Sequence, residues 1–233
     1  MKHRLIIFFL AIFSLSNAQQ APIWHYWVDV NPAVDISKKL RVFGDIGVQR
    51  YVLDQPLTRT NFRPGLMYKL HQNIKATTGV GYFITHERKN IKLQELRLFL
   101  GLQYQWPRYT HFTLAHYLRW EVRNFWSTIP QSKTVSSRLR YELQNQVAWT
   151  SIGIPLEKWF SPIAVEAFLG LGAQSKMATF FEQLRVTAGI GYQLNAKSRL
   201  ALLYIYQGRE AQLNDFLLQT TDHMLRLRYY LTF

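Results

Sequence analysis

Glu95 and Arg97, then Arg119, Glu121 and Arg123, then Arg138, Arg140 and Glu142 set carboxylates and guanidinium groups two residues apart in three successive segments. Glu166, Arg185, Arg226 and Arg228 add one acid and three bases at similar positions further on. A spacing of two puts side chains on one face of an extended strand, and neighbouring strands can bring opposite charges side by side. Two chemistries fit. One is a lattice of salt bridges that fills and braces an enclosed space. The other is a ladder of arginines that draws anions into a water-filled one.

Histidine offers a third chemistry, hydrolysis. His116 stands on an otherwise apolar face, and "AHYLRW" supplies no serine two residues on. His86 with Glu87, and Asp222 with His223, are acid–histidine pairs near strand ends, with no nucleophile in view. The chain carries no HExxH, no phosphate loop and no G-x-G-x-x-G between a strand and a helix. "GVGYF" from Gly79 and "GIGY" from Gly189 fall in mid-strand, where glycine relieves crowding inside a narrow barrel. The reading is therefore non-enzymatic, with no catalytic residue, no cofactor and no metal.

The elements that must position these charges are strands. Leu96, Leu98, Leu100, Leu102, Tyr104 and Trp106 share one face, opposite Glu95, Arg97, Phe99, Gly101 and Gln103. The same alternation runs through Phe112 to Asn124, Arg138 to Trp149 and Gln183 to Leu194. On these faces Leu100→Arg is expected to be costly and Gly101→Ser mild. Several alternations exceed ten residues, against ~5–6 for an ordinary strand and ~9–11 for a strand tilted across a membrane. Most of the seven tryptophans lie near strand ends, as interfacial rings do. "LHQN", "WPR" and "LNAKS" read as tight turns. Longer polar links are expected at Leu53–Arg59, His86–Lys92, Trp126–Thr134, Ala173–Phe180 and Gly208–Thr221. Ser151 to Phe160 is long, yet by parity it belongs with the turns.

The fold class is all-β: a transmembrane antiparallel up-and-down β-barrel. Eleven candidate strands are visible, the weakest being Ile23–Val34 with Pro32 inside it. Bacterial single-chain barrels normally have even strand numbers, so ten to twelve strands are expected, with twelve favoured.

"MKHRLIIFFLAIFSLSNAQQ" has the three parts of a secretory signal: a basic start, an apolar run from Leu5 to Phe13, and small residues ending at Ala18. Residues 1–18 are read as the signal and 19–233 as one barrel domain. The apolar run is shorter than the ~20 residues of a membrane-spanning helix. There is no cysteine, so an exported chain must be held together by something other than disulfides. Net charge is +14, or +12 without Lys2 and Arg4. Export disfavours nucleic acid as the counter-charge and favours an anionic membrane surface such as lipopolysaccharide. In "MLRLRYYLTF", Leu225, Leu227, Tyr229, Leu231 and Phe233 form a greasy face ending on an aromatic residue. It resembles the terminal signal that the bacterial barrel assembly machinery recognises.

"RPGLMYKL", "GVGYFITHE", "ELRLFLGLQY", "LRWEVRNF", "SRLRYELQNQ", "VEAFL" and "EQLRVTAGIGYQL" follow one another in an order that resembles the domain-of-unknown-function 2490 family. The likeness covers nearly all of the chain after the signal. It implies an exported barrel in the outer membrane of Bacteroidota or related Gram-negative bacteria, and transfers no activity and no site. The expected role is a structural or binding barrel with a charge-braced lumen. The alternatives are a narrow anion-preferring channel and, behind it, a lipid- or peptide-processing enzyme. Expected partners are outer-membrane lipid, lipopolysaccharide and, during insertion, the assembly machinery. The sequence leaves oligomeric state open.

Overall fold

Alternating apolar and polar residues form strands because a pleated chain segregates them to opposite faces. A computed structural model describes residues 22–53, 57–87, 90–107, 113–128, 131–171, 181–213 and 216–233. The signal expected over 1–18, with its cleavage after Ala18, lies outside these residues. Eleven strands among the described residues close into one barrel. They are β1 (Ile23–Asp35), β2 (Leu40–Val52), β3 (Leu57–His71), β4 (Ile74–Glu87), β5 (Asn90–Gln105) and β6 (Ala115–Thr128). The remainder are β7 (Gln131–Ala148), β8 (Trp159–Leu171), β9 (Phe181–Asn195), β10 (Ser198–Leu213) and β11 (Phe216–Thr232).

Each strand pairs antiparallel with the next, and β1 then pairs parallel with β11, from Ile23 opposite Asp222 to Ala33 opposite Thr232. That parallel seam is how an odd number closes. The count falls within ten to twelve but is not the favoured twelve: β1 is a full wall strand, and its parallel pairing with β11 removes the need for an even number. Pro32, which has no N–H to donate, sits where the β1–β2 ladder pauses between Val30↔Ile46 and Ala33↔Phe43.

Strands run from 13 to 18 residues, and several occupy sequence expected to be loop. The links His86–Lys92, Trp126–Thr134 and Gly208–Thr221 are mostly ladder. Pairing continues to Glu87↔Asn90, Thr128↔Gln131 and Leu213↔Phe216, which satisfies the backbone there. Leu57 to Arg59 likewise belong to β3, whereas Ala173–Phe180 lies outside the described residues. Of the "WPR" turn, Arg108 and the residues to 112 lie outside the described residues. Trp106 N–H bonds to Leu114 O, and β6 begins only at Ala115. Pro107 cannot donate to a ladder that would continue past it.

The link from Ser151 to Phe160 does lie at the short-turn end. Trp149–Ile152 form a 3-10 turn closed by Gly153 in the left-handed conformation (φ 84°). Trp149 stacks on Trp159 with centroids 5.5 Å apart and donates to Ser161 Oγ at 2.9 Å, so the segment folds as a stapled cap.

The outer wall is apolar. Leu98, Leu100, Leu102, Leu118, Ile163, Val186, Ile190, Leu202, Leu225 and Leu227 are all exposed. Tyr229 and Leu231 continue the outer face of β11, and Phe233 lies beyond it, its N–H bonded to Ala33 O. Outward aromatics cluster at the short-turn end, where Trp106 donates to His116 Nε2 at 2.7 Å and His116 Nδ1 meets Tyr141 OH at 2.6 Å.

Inward glycines receive the rings of neighbouring strands. A Cβ on Gly65 would meet Phe43, one on Gly79 would meet Phe99, and one on Gly191 would meet Phe160. Gly101 corrects an expectation: its Cβ would lie 2.7 Å from the Tyr117 ring and 2.8 Å from Thr77 Oγ1. Tyr117 OH and Thr77 Oγ1 are themselves 2.7 Å apart, so the neighbour is held in place. Gly101→Ser is thus an overpacking substitution, expected to cost about 1–3 kcal/mol in urea unfolding rather than to be neutral.

Candidate functional site

All twelve charges singled out in the sequence face the lumen, and each makes an ion pair. Register sets Glu121 opposite Arg138, Glu166 opposite Arg185 and Asp29 opposite Arg228, but elsewhere it sets like beside like. Arg97 is opposite Arg123, Arg119 opposite Arg140, and Glu142 opposite Glu166. Such neighbours repel. The counter-charges two residues along the same strands resolve this diagonally.

Two carboxylates organise the wall of β3, β5, β6 and β7. Glu95 accepts from Arg59 at 2.6 Å, from Arg97 at 2.7 Å and from Arg123 at 2.7 Å. Glu121, fully enclosed, meets Arg119 at 2.8 Å, Arg138 at 2.7 Å and Arg97 at 3.3 Å. Arg97 therefore joins the two centres. On the other side Arg140 bridges the facing acids, at 2.7 Å from Glu142 and 2.9 Å from Glu166, and Arg185 reaches Glu166 at 3.2 Å. At the seam, Asp29 receives both Arg226 and Arg228, and Asp45 receives Arg63 and Asn61.

Phenylalanines serve as planks for these guanidinium groups. Arg59 and Arg97 lie 4.5 Å from the Phe83 centroid, and Arg138, Arg140 and Arg185 surround Phe168 at 4.7, 5.5 and 5.1 Å. Arginine's flat, weakly hydrated cation suits this stacking, and the aromatic face offers it partial negative charge. A ring plus a carboxylate offsets part of the cost of holding each cation away from bulk water.

Two chambers lie along the lumen. A chamber of about 610 Å³ lies towards the end opposite the short turns, lined by residues such as Tyr51, Arg59 and Gln183. A second, of about 350 Å³, lies towards the turns, lined by Gln105, Asn145 and Tyr230. Glu142, Glu166, Arg185, Arg226 and Arg228 line both and so stand where the two meet.

Asp29, Asp45, Arg59 and Arg63 are lattice members not singled out from the sequence. Period two along β2 and β3 places Asp45 with Gln49, and Arg59 with Asn61 and Arg63. That signal was available. Discounting β1 for Pro32 hid the wall that Asp29 and Asp45 share.

The histidine pairs separate. Asp222 is buried inward, where Gln207 donates to it at 2.6 Å and His25 Nε2 stands 3.6 Å away. His223 points outward, stacks on Trp24 and meets Tyr204 OH at 2.5 Å. Glu87 pairs with Lys92 at 2.6 Å rather than with His86. Among the described residues no group of three or more His, Cys, Asp or Glu is placed to hold a metal ion.

Residues 24–217 match the family model described as a protein of unknown function, DUF2490. No curated protein matches the chain.

Proposed function

The chain belongs to the DUF2490 family, whose members have no assigned function, and from its geometry we propose an outer-membrane barrel whose lumen is closed by a charge lattice. In this reading it is a structural or binding protein, neither a pore nor an enzyme. One observation carries it: burial is inverted. Leucine, valine and isoleucine cover the outside of the wall, while Glu95, Glu121, Asp29, Arg97, Arg119 and Arg226 are buried inside. In water this arrangement exposes what should be hidden. In a bilayer it matches the solvent on both sides of the wall, and closure satisfies every strand edge. No helix among the described residues is long and apolar enough to cross a membrane, so any crossing is made by strands.

Outer-membrane lipid would cover the belt, with lipopolysaccharide as a counter-charge for the basic chain. The face formed by Leu225, Leu227, Tyr229, Leu231 and Phe233 would be read by the assembly machinery during insertion. The positive excess around the larger chamber favours a second reading, a narrow anion channel. Against it stands the shared layer of Glu142, Glu166, Arg185, Arg226 and Arg228. Fractionation tests the location. The mature protein should begin at Gln19 by mass spectrometry and sediment with the outer membrane; recovery from the soluble periplasm would contradict it.

A further inference from the structure

The larger chamber has a predominantly positive lining. Among the described residues ten arginines line it against four carboxylates, Asp45, Glu142, Glu166 and Glu182. Exposure sharpens the imbalance. The side chains of Arg59, Arg63, Arg123, Arg185 and Arg228 are 18–24% exposed, whereas those of Asp29, Asp45, Glu95 and Glu121 are at most 4% exposed. The acids that pair with Arg59, Arg63, Arg123 and Arg228 stand behind them, so guanidinium faces the cavity there, beside Glu142, Glu166 and Glu182 of its lining.

Sharing leaves Arg59, Arg123 and Arg228 under-neutralised. Glu95 serves three arginines, Glu121 three and Asp29 two. A carboxylate offers about four acceptor positions, and each guanidinium carries five donors in a rigid fork. Three arginines on one carboxylate therefore keep donors to spare. The cavity, at about 610 Å³, is far larger than one small anion needs and falls within the ~300–1,000 Å³ of small-molecule sites. Its lining includes Tyr51, Arg59 and Glu182, close to the ends of β2, β3 and β9, so it lies towards the end opposite the short turns.

We propose that this chamber binds a compact anion bearing two or more phosphate or carboxylate groups, held by Arg59, Arg63, Arg123 and Arg228. Several anionic groups match several forks, because arginine recognises both chemistries through paired N–H donors. The site rests on the closed layer proposed above, which makes the chamber an end point rather than a passage.

Titration calorimetry on the full barrel, folded in detergent at low salt, tests this with tripolyphosphate, citrate and orthophosphate as probes. Tripolyphosphate or citrate should bind one to one, about tenfold or more tighter than orthophosphate, since added groups engage added forks. Arg59→Gln and Arg123→Gln should each weaken that binding about tenfold, a loss of one charge-assisted contact. Arg50→Gln, on the outer face of β2, should leave it unchanged. Should the chamber variants not fold, the unmutated barrel still decides. Tripolyphosphate should protect Arg59 and Arg123 from phenylglyoxal while leaving Arg50 reactive. No saturable binding by folded protein, or equal weakening by Arg50→Gln, would overturn the site. Binding by a barrel that also conducts ions would support the site while refuting the closed layer, so the two failures are distinguishable.

Discussion

Glu121→Gln is expected to destabilise the barrel by about 3–5 kcal/mol, the range for breaking a buried ion pair by removing one partner. Glu121 is fully enclosed and is the shared counter-charge of Arg97, Arg119 and Arg138. The amide keeps the shape but loses the charge, which leaves three enclosed cations against one another. Water cannot relieve them unless the lattice opens. Arg138→Gln removes one of the three, and combining it with Glu121→Gln should cost less than the sum, because the two share the pair at 2.7 Å. Glu87→Gln breaks an exposed pair with Lys92 at the far end of β4 and should cost no more than ~1 kcal/mol. Urea unfolding of barrels folded in lipid vesicles measures all four. Near-native stability of Glu121→Gln would mean that water already solvates the lattice, as a channel requires.

Leu100→Arg is expected to cost about 2–4 kcal/mol if the wall faces lipid, the measured range for a cation near the bilayer midplane. Leu100 is 57% exposed on the outer face of β5, flanked by exposed Leu98 and Leu102. Ile36, equally exposed, sits in the short link between β1 and β2. Ile36→Arg should cost only ~0–1 kcal/mol, as charges near the interface do. The comparison isolates the solvent, because in water both exposed sites would tolerate the change within about 0.5 kcal/mol. Equal, small effects in vesicles would contradict a lipid-facing wall.

Much of this was legible in the sequence because a strand has one simple period. Arg97 and Leu98 announce opposite faces by adjacency alone, and the twelve lumen charges follow from that rule. What parity cannot convey is closure. Nothing local in Ile23–Asp35 says that it pairs parallel with β11, and Pro32 argued against it until the pause in the β1–β2 ladder was seen. Polar residues at strand ends read as loop, yet Thr128 and Gln131 pair because a hairpin satisfies backbone groups whatever its side chains. Gly101→Ser reads as mild because its position faces inward, away from lipid. Its neighbour across the strand is Arg119, but the ring that fills its space is Tyr117, a diagonal contact that spacing does not reveal. The diagonal pairing of the charges is hidden in the same way. The sequence shows which residues face inward, but not that Arg140 would bridge Glu142 and Glu166.

Conductance across planar lipid bilayers tests the closed lumen most directly. Folded protein whose heat-modifiable mobility proves insertion-competent structure should produce no steady, ohmic current above the bare bilayer. Stable unitary steps with a reversal potential favouring anions, shifted by Arg140→Gln or Glu142→Gln in opposite directions, would show an open arginine-lined path and contradict the account.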